Sequence, residues 1–589
     1  MKYVVVTSGV VSELGNGVAA SSIGVVLKAC GLRVTFIKID PYLNTDAGTM
    51  SPDEHGEIFV LDDGSEVDMD LGNYGRFLDA ELTGDNHMTA GKIYQYVIDK
   101  ERRGDYLGKT VQIVPHITNE IQEWIERIAI IPVDGREGPP DVCIIELGGT
   151  IGDIESRPFI EALSQFSYRA DNTFCSVHVS LVPVIDIVGE QKTKPTQFSV
   201  QSLRELGLTP NLLACRSAAP LNKKVKEKLS QFCHVPVDCI VGLSNVPNIW
   251  HVPSLLIGQK AHEAILGVLG LPCLTVEPKL DAWMDIARTY DQLHAPVRIA
   301  VVGKDTNVSN AYRSIHEAIL HASVACQRRL VVDWVPASDL DEETANQSPD
   351  LHEKAWSLLK GADGVLVPGG FGHGGVGGKI LAAKYARENN VPYLGIGLGM
   401  HVAVIEFARS VLGLKDANSA EFDAGTRYPC LIQMPEMCVG SRRTFFRTMD
   451  CKSAKLYGNV RYVDERRRHQ YEVNPDMVGE LESAGAKFVG TDEAGDRMEI
   501  LELPWHQYFV GVQFHPEFKS RPGKPSPLFT GLIAAASSGQ RNGGGMTQQS
   551  PSNLEKRPIP AKVASASTTS GGLEDELLGL HVSGAALAH

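Results

Sequence analysis

Two short stretches sit where chemistry is usually done, and each holds a residue unsuited to it. YLGIGLGMHVA, residues 393–403, reads as a buried strand that turns sharply into a helix. Such an elbow presents one nucleophilic side chain at the helix N-terminus. Its tip is Gly397, which carries no side chain. SGVVSELGNGVAASS, residues 8–22, follows an apolar strand and opens a helix. A Gly-rich turn there leaves backbone N–H groups free to cradle phosphate, and the helix dipole adds to the attraction. Phosphate-binding loops also set a Lys beside the second glycine. Here Asn16 stands between Gly15 and Gly17, and Glu13 adds an anion to the same turn. Taken alone, a Gly-rich strand–helix turn is as readily a structural feature as a phosphate site.

The elements that must position these turns follow one pattern. Strand-like runs alternate with helical stretches: YVVVTSG, a helix near residues 19–29, VTFIKID, then DVCIIELGG and SVHVSLVPV. This alternation predicts an α/β fold whose parallel sheet is covered by helices, with ligands at the carboxyl ends of the strands. A second alternating series starts at VRIAVVGK and continues through GVLVPGG and PYLGIG to FVGVQFHPE. The polar helical stretch between them, residues 276–297, is expected to link two domains spanning residues 1–275 and 298–536. From residue 537 the composition turns to Gly, Ser, Thr, Gln and Pro, which predicts a disordered tail over 537–589. Within it LEDELLGLHV reads as a solvated fragment that could become helical against a partner.

Bulk properties narrow the function. At 589 residues the chain exceeds a single core, and 43% hydrophobic with 22% charged residues is ordinary for a globular protein. A net charge of −15 argues against nucleic-acid and anionic-membrane binding, while a few local Lys and Arg suffice for a nucleotide. The 11 cysteines are scattered without a CxxC pair, and no apolar run reaches the ~20 residues of a membrane span. A cytoplasmic protein with reduced thiols is the expectation.

Longer motifs are more specific. VTFIKIDPYLNTDAGTMSPDEHGEIFVLDDGSEVDMDLGNY is followed by TAGKIYQYVIDKERRGDYLGKTVQIVPHIT, IIELGGTIGDIES and GEQKTKPTQ. In this order they resemble the CTP synthase family, glutamine-dependent amidotransferases that convert UTP to CTP with ATP. The similarity runs from Met1 to about residue 536. It implies a P-loop-like amidoligase domain and a class I glutamine amidotransferase domain of flavodoxin-like α/β fold. It also implies Mg²⁺ as cofactor, ATP and UTP as substrates, CTP as product and inhibitor, and a homotetramer assembled through the ligase domains.

The resemblance assigns roles by position. Asp70 and Glu146 match metal-ligand carboxylates, and Lys38 matches a phosphate-contacting lysine. Lys192, Lys194 and Lys228 match the lysines holding the pyrimidine triphosphate, and Gln112, Asp153 and Glu155 match positions around that nucleotide. His55 matches a histidine near the ammonia passage. Asn16 replaces the phosphate-loop lysine, and Gly75 in NYGRF replaces a usual Glu, so the ATP half is expected to be weakened.

In the second domain His515 and Glu517 of QFHPEF match the base and its orienting acid. Gly370 and the backbone of Leu398 match the oxyanion donors, and Glu421 matches a glutamine-binding acid. Gly397 stands at the Cys nucleophile. His401 replaces a Gln, Gly374 an Arg, and Gln470 the Arg that faces the glutamine carboxylate. MPEMCVGSRRTFF also lacks the family's glycine-rich pocket segment, which should open the glutamine pocket. Loss of glutaminase activity is expected.

Two functions then compete. One is an enzyme that aminates UTP with free ammonia; the other is a non-catalytic relative that binds UTP or CTP, or co-assembles with an active paralogue and regulates it. Damage at both centres tilts the balance on turnover toward the second. A duplicate without function is the third possibility.

Overall fold

The computed structural model describes residues 1–11, 14–170, 172–185, 189–272, 278–308 and 310–538. Glu13, the LEDELLGLHV fragment and nearly all of the expected tail lie outside the described residues.

The first sheet has seven strands in the spatial order Ile240–Leu243, Leu212–Arg216, Phe174–Leu181, Lys2–Ser8, Val142–Leu147, Val34–Asp40, His87–Thr89. Every neighbouring pair is parallel. Val34–Asp40 and Val142–Leu147 are buried at every position, which is why they read as continuous apolar runs rather than alternating ones. One face packs on helices Asn16–Ala29, Met69–Leu78 and Ala261–Leu269, the other on Ala90–Arg103, Thr118–Ala129 and Arg157–Arg169. The first strand lies mid-sheet and the chain crosses to both sides of it, so a crevice opens at the carboxyl ends of the central strands. Lys38 and Glu146 are register partners there, on adjacent strands.

The second sheet begins with five parallel strands, Arg329–Pro336, Pro296–Gly303, Gly364–Val367, Tyr393–Ile396 and Phe509–Val512. Antiparallel strands Met498–Glu502, Lys487–Thr491 and Tyr428–Phe446 extend it, and Tyr462–Val473 pairs with the last of these.

Within the stretch expected as a linker, the described residues 278–297 include a packed helix. That helix, Asp281–Asp291, buries Ala287 completely, and the Trp283 ring lies tilted 5.1 Å from that of Phe77 while its indole N–H donates to the Trp250 carbonyl at 2.7 Å. Residues Met1–Gln540 form one compact unit. A small hairpin, Ile58–Val60 with Glu66–Asp68, docks on the second sheet's strands. Arg466 reaches Asp62 at 2.9 Å and the Val60 carbonyl at 2.9 Å, and Phe59 meets Phe518 at 5.0 Å. Phe518 is thereby part of the first domain's core. The final helix, Pro527–Ser538, runs two residues past the expected start of the tail.

Candidate functional site

The Gly-rich turn is built as its glycines predict. Gly15 has φ +88°, a left-handed cap that an L side chain would strain, and the helix starts at Asn16. A Cβ on Gly17 would stand 3.1 Å from Asp70 Oδ1, so the glycine lets the carboxylate approach the turn. Lys38 Nζ lies 2.6 Å from Asp70 Oδ2 and 3.2 Å from Glu146 Oε1. Burial alone would lower Lys38, but Asp70, Glu146 and Asp40 outweigh it and hold the ammonium well above its ordinary range. Burial pushes the Glu146 carboxyl up to about 8 despite the neighbouring Lys38. Asn16 does not idle in this centre: its Nδ2 donates to Glu146 Oε1 at 2.7 Å.

Two further acids belong to the cluster and escaped the sequence reading. Asp40 accepts from His87 Nε2 at 2.9 Å and lies 3.7 Å from Lys38. Desolvation, then the charges of Asp70 and Asp40, raise the carboxyl of half-buried Asp68 well above the usual range. Their signal was present: VTFIKID puts Lys and Asp in a fully buried strand, where charges persist only in pairs.

Hard oxygen donors suit Mg²⁺, which is commonly held by one or two carboxylates plus substrate phosphates. Glu146 Oε2 is buried without a hydrogen-bond partner, which leaves one oxygen free for such an ion. Among the described residues no group of three or more His, Cys, Asp or Glu could hold a metal by itself. Asp70 and Glu146 therefore fit a metal shared with a bound phosphate.

Gly75 is a correction. It was expected to bear on the ATP half, yet it lies on the far part of helix Met69–Leu78, against Ala80 and Arg521 at the junction with the second domain. Among the residues expected around the pyrimidine nucleotide, Lys192 donates to Glu190 at 2.6 Å, and together with Lys228 it holds that carboxyl below its usual range. Lys194 lies 5.5 Å over the Phe198 ring, Asp153 accepts from the Thr150 N–H at 2.7 Å, and Gln112 and Glu155 are exposed.

At the elbow, Gly397 adopts φ +50°, ψ −109°, a region L side chains rarely enter. Its neighbours are glycines for space. A Cβ on Gly395 would stand 2.5 Å from the Gly399 carbonyl, and one on Gly399 would stand 2.1 Å from the Val367 carbonyl. Gly397 is different, because a Cβ there would meet nothing closer than His515 Nε2 at 3.6 Å. His515 Nδ1 in turn bonds Glu517 Oε1 at 2.8 Å. His515 and Glu517, the expected base and orienting acid, thus stand beside a position without a reactive atom.

The surroundings of the seat are closed rather than open. The space bounded by Gly397, Leu398, Gly370, Glu421, Gln470 and Tyr471 amounts to about 10 Å³, close to one water molecule. The space is thus small rather than opened as expected; the shortened Tyr428–Phe446 segment contributes nothing to its lining, and among the described residues that lining holds no Cys, Ser or Thr. His401 Nε2 donates to Gln513 Oε1 at 3.0 Å, and burial lowers the pKa of the ring to about 4. Glu421 accepts from the Gly372 N–H at 3.0 Å, and burial raises its carboxyl. Gly374 abuts Lys304, whose chain fills the space that a side chain there would take.

On the other side of His515 lies a cavity of about 300 Å³ between residues 48–58 of the first domain and Lys304, Lys379 and Arg468 of the second. His55 is exposed nearby, on helix Pro52–His55, with its ring 5.8 Å from Tyr42. Burial lowers Lys379 to about 8. Lys304, Lys379 and Arg468 were not singled out in the sequence, and only the end of strand VRIAVVGK carried a signal for the first of them.

Comparison with known proteins gives three findings. Residues 2–271 match the family model described as CTP synthase N-terminus, and residues 307–535 match glutamine amidotransferase class-I. A CTP synthase of Dictyostelium discoideum is 54% identical over 570 residues, covering 91% of this chain and 99% of that protein. Human CTP synthase 1 is 53% identical over 548 residues, covering 91% and 93%. A solved Trypanosoma brucei glutaminase domain with bound acivicin is 38% identical and covers 41% of this chain and 94% of that one, with a TM-score of 0.38.

Proposed function

The chain belongs to the CTP synthase family, and from that premise we propose that it aminates UTP to CTP with free ammonia and does not hydrolyse glutamine. The observation that carries the loss is the elbow: the His515–Glu517 pair faces position 397 across 3.6 Å, and no sulfur or hydroxyl stands there. Without a covalent nucleophile, amide hydrolysis falls by orders of magnitude. Glutamate release from glutamine is expected at background in a coupled dehydrogenase assay; release at the rate of an active relative overturns this reading.

The ligase half retains groups that can work. Lys38 is held charged by its carboxylates and can move from Asp70 to a phosphate oxygen. Asp70 and Glu146 would hold Mg²⁺, which when bound neutralises triphosphate charge. Asn16 supplies a hydrogen bond but no charge, so the ATP half is weakened rather than absent. Lys192, Lys194 and Lys228 are the basic groups for the pyrimidine triphosphate, with Gln112, Asp153 and Glu155 beside them. Exposed apolar residues of the first domain, among them Leu107, Ile113, Val114, Ile154 and Phe198, support assembly into a homotetramer or with an active relative. No helix among the described residues is long and apolar enough to cross a membrane, and a cytoplasmic location is proposed.

A second reading is favoured by one observation. The Asn16–Glu146 bond occupies Oε1 and leaves the metal only Oε2 of that carboxylate, as expected of a relative that binds UTP or CTP without turnover and regulates an active partner. The decisive assay supplies UTP, ATP, Mg²⁺ and ammonium chloride to the full chain and to Asn16→Lys. CTP from the unmodified chain defeats the non-catalytic reading. No CTP from either, with UTP binding measurable, defeats the enzyme.

A further inference from the structure

Between residues 62–81 and 133–135 on one side and residues 466–524 on the other lies a cavity of about 350 Å³, apart from both centres described above. Arg466, Lys519, Arg521 and Lys524 line it, opposite Asp62, Asp79, Glu81 and Asp134. Three of these acids are engaged already. Asp62 is held by Arg466 at 2.9 Å and Lys519 at 3.1 Å, Asp79 by Lys524, and Asp134 by Arg33 at 2.7 Å. Glu81 is exposed to solvent.

Arg521 stands out. It is only 8% exposed, and its Nη1 donates to the carbonyls of Phe518 at 2.9 Å and Ser520 at 3.0 Å, with no ion pair among the described residues. Behind it Arg76, 3% exposed, donates to Ser314 Oγ at 3.1 Å and Asn73 Oδ1 at 2.6 Å and likewise has no ion pair among the described residues. Burial, then the charges of Arg466 and Arg76, lower Arg521 to about 9 against the opposing pull of Asp79 and Asp62. A buried guanidinium calls for a counter-charge.

Gly75 lies beside Arg521. A Cβ there would stand 3.5 Å from Arg521 Nη2 and 3.3 Å from the Ala80 carbonyl, and the backbone is not in the left-handed region. An acidic side chain there would be set against Arg521, provided that the Ala80 carbonyl gives by a few tenths of an ångström.

We infer that this interdomain cavity binds a small oxyanion of the phosphate class, with Arg521 as its anchoring ligand. The guanidinium fork matches two oxygens of a phosphate, and Lys524, whose side chain is 71% exposed, can swing from Asp79 to close over it. The bound anion would neutralise the junction between the two domains and so stabilise their docking.

The test is thermal unfolding and calorimetric titration of the full chain with inorganic phosphate, acetate and chloride at matched ionic strength. Phosphate is expected to raise Tm more than the other two. Gly75→Glu sets a carboxylate on Arg521; it should raise Tm without phosphate and weaken phosphate binding about tenfold or more. Gly75→Ala fills the same Cβ position without charge and should leave phosphate binding within about twofold, while Lys524→Gln should weaken it a few-fold. The inference is overturned if phosphate gives no shift, or if acetate or chloride does as well. It is equally overturned if the phosphate shift survives intact in Gly75→Glu, which would assign it to the nucleotide sites.

Discussion

At the elbow, a Cβ added to Gly397 would find open space out to 3.6 Å, whereas at the Gly-rich turn Asn16 is bonded at 2.7 Å to a carboxylate of the ligase centre. On the proposed reading, the first centre has lost a group and kept its seat, and the second has exchanged a cation for an amide and rewired itself. The difference follows from what each group did in the fold. A nucleophile on an elbow makes few structural bonds and strains its backbone by about 1–3 kcal/mol, so glycine removes it and relaxes the turn. A lysine among buried acids balances charge, so its replacement must satisfy what it leaves behind. Lys38 and Asn16 now do so together.

If the elbow is a vacancy, one atom should restore its reactivity. Gly397→Cys is expected to be alkylated by iodoacetamide at pH 7 roughly a hundredfold faster than any native cysteine, because His515 can take the thiol proton. Mass spectrometry of the labelled peptide reads this, and a labelling rate no higher than that of the native cysteines would mean the seat is not intact.

The junction between the two centres supplies the next test. Burial, only partly offset by its bonds to Ser314, raises the Glu57 carboxyl to about 7. A carboxyl raised in the folded state binds its proton more tightly there than in the unfolded chain. Its contribution is thus complete below pH 4.5 and is lost as pH climbs to about 7. Chemical denaturation should show stability falling across that window by up to about 3 kcal/mol, and Glu57→Gln should flatten the fall. An unchanged slope in the variant would show that Glu57 is not the group responsible.

At the rewired centre, restoring the charge is expected to help by less, because a bond must be broken first. Asn16→Lys should raise ammonia-dependent CTP formation about tenfold to a hundredfold. Equal rates in the two proteins would mean that Lys38 alone suffices. The smallest effect is the strain at the elbow: Gly397→Cys should lose about 1–3 kcal/mol of stability in urea, and no loss would mean that the turn relaxes around a side chain.

Much of the architecture was legible in the linear pattern. Buried parallel strands appear as apolar runs, and both series of strands and helices emerged where the alternation placed them. The glycines of GIGLG read correctly as packing at 395 and 399, but 397 keeps its turn by backbone angle rather than by crowding. Gly75 was assigned to the wrong neighbourhood, since its helix passes from the ligase centre at Asp70 to the domain junction within two turns. The expected opening of the glutamine pocket failed because Gln470 and Tyr471, on the strand paired to the shortened segment, close the space.

The amino-acid sequence by itself determined that glycine stands at position 397 and asparagine at 16, because residue identity and the local turn that displays it are written side by side. Only the tertiary structure decided what surrounds these two residues. Asn16 meets Glu146 across 130 positions of chain, and Arg521 faces Gly75 from the other domain. Burial and charge pairing depend on separation in space, and strand register and domain docking set that separation where local periodicity carries no record of it.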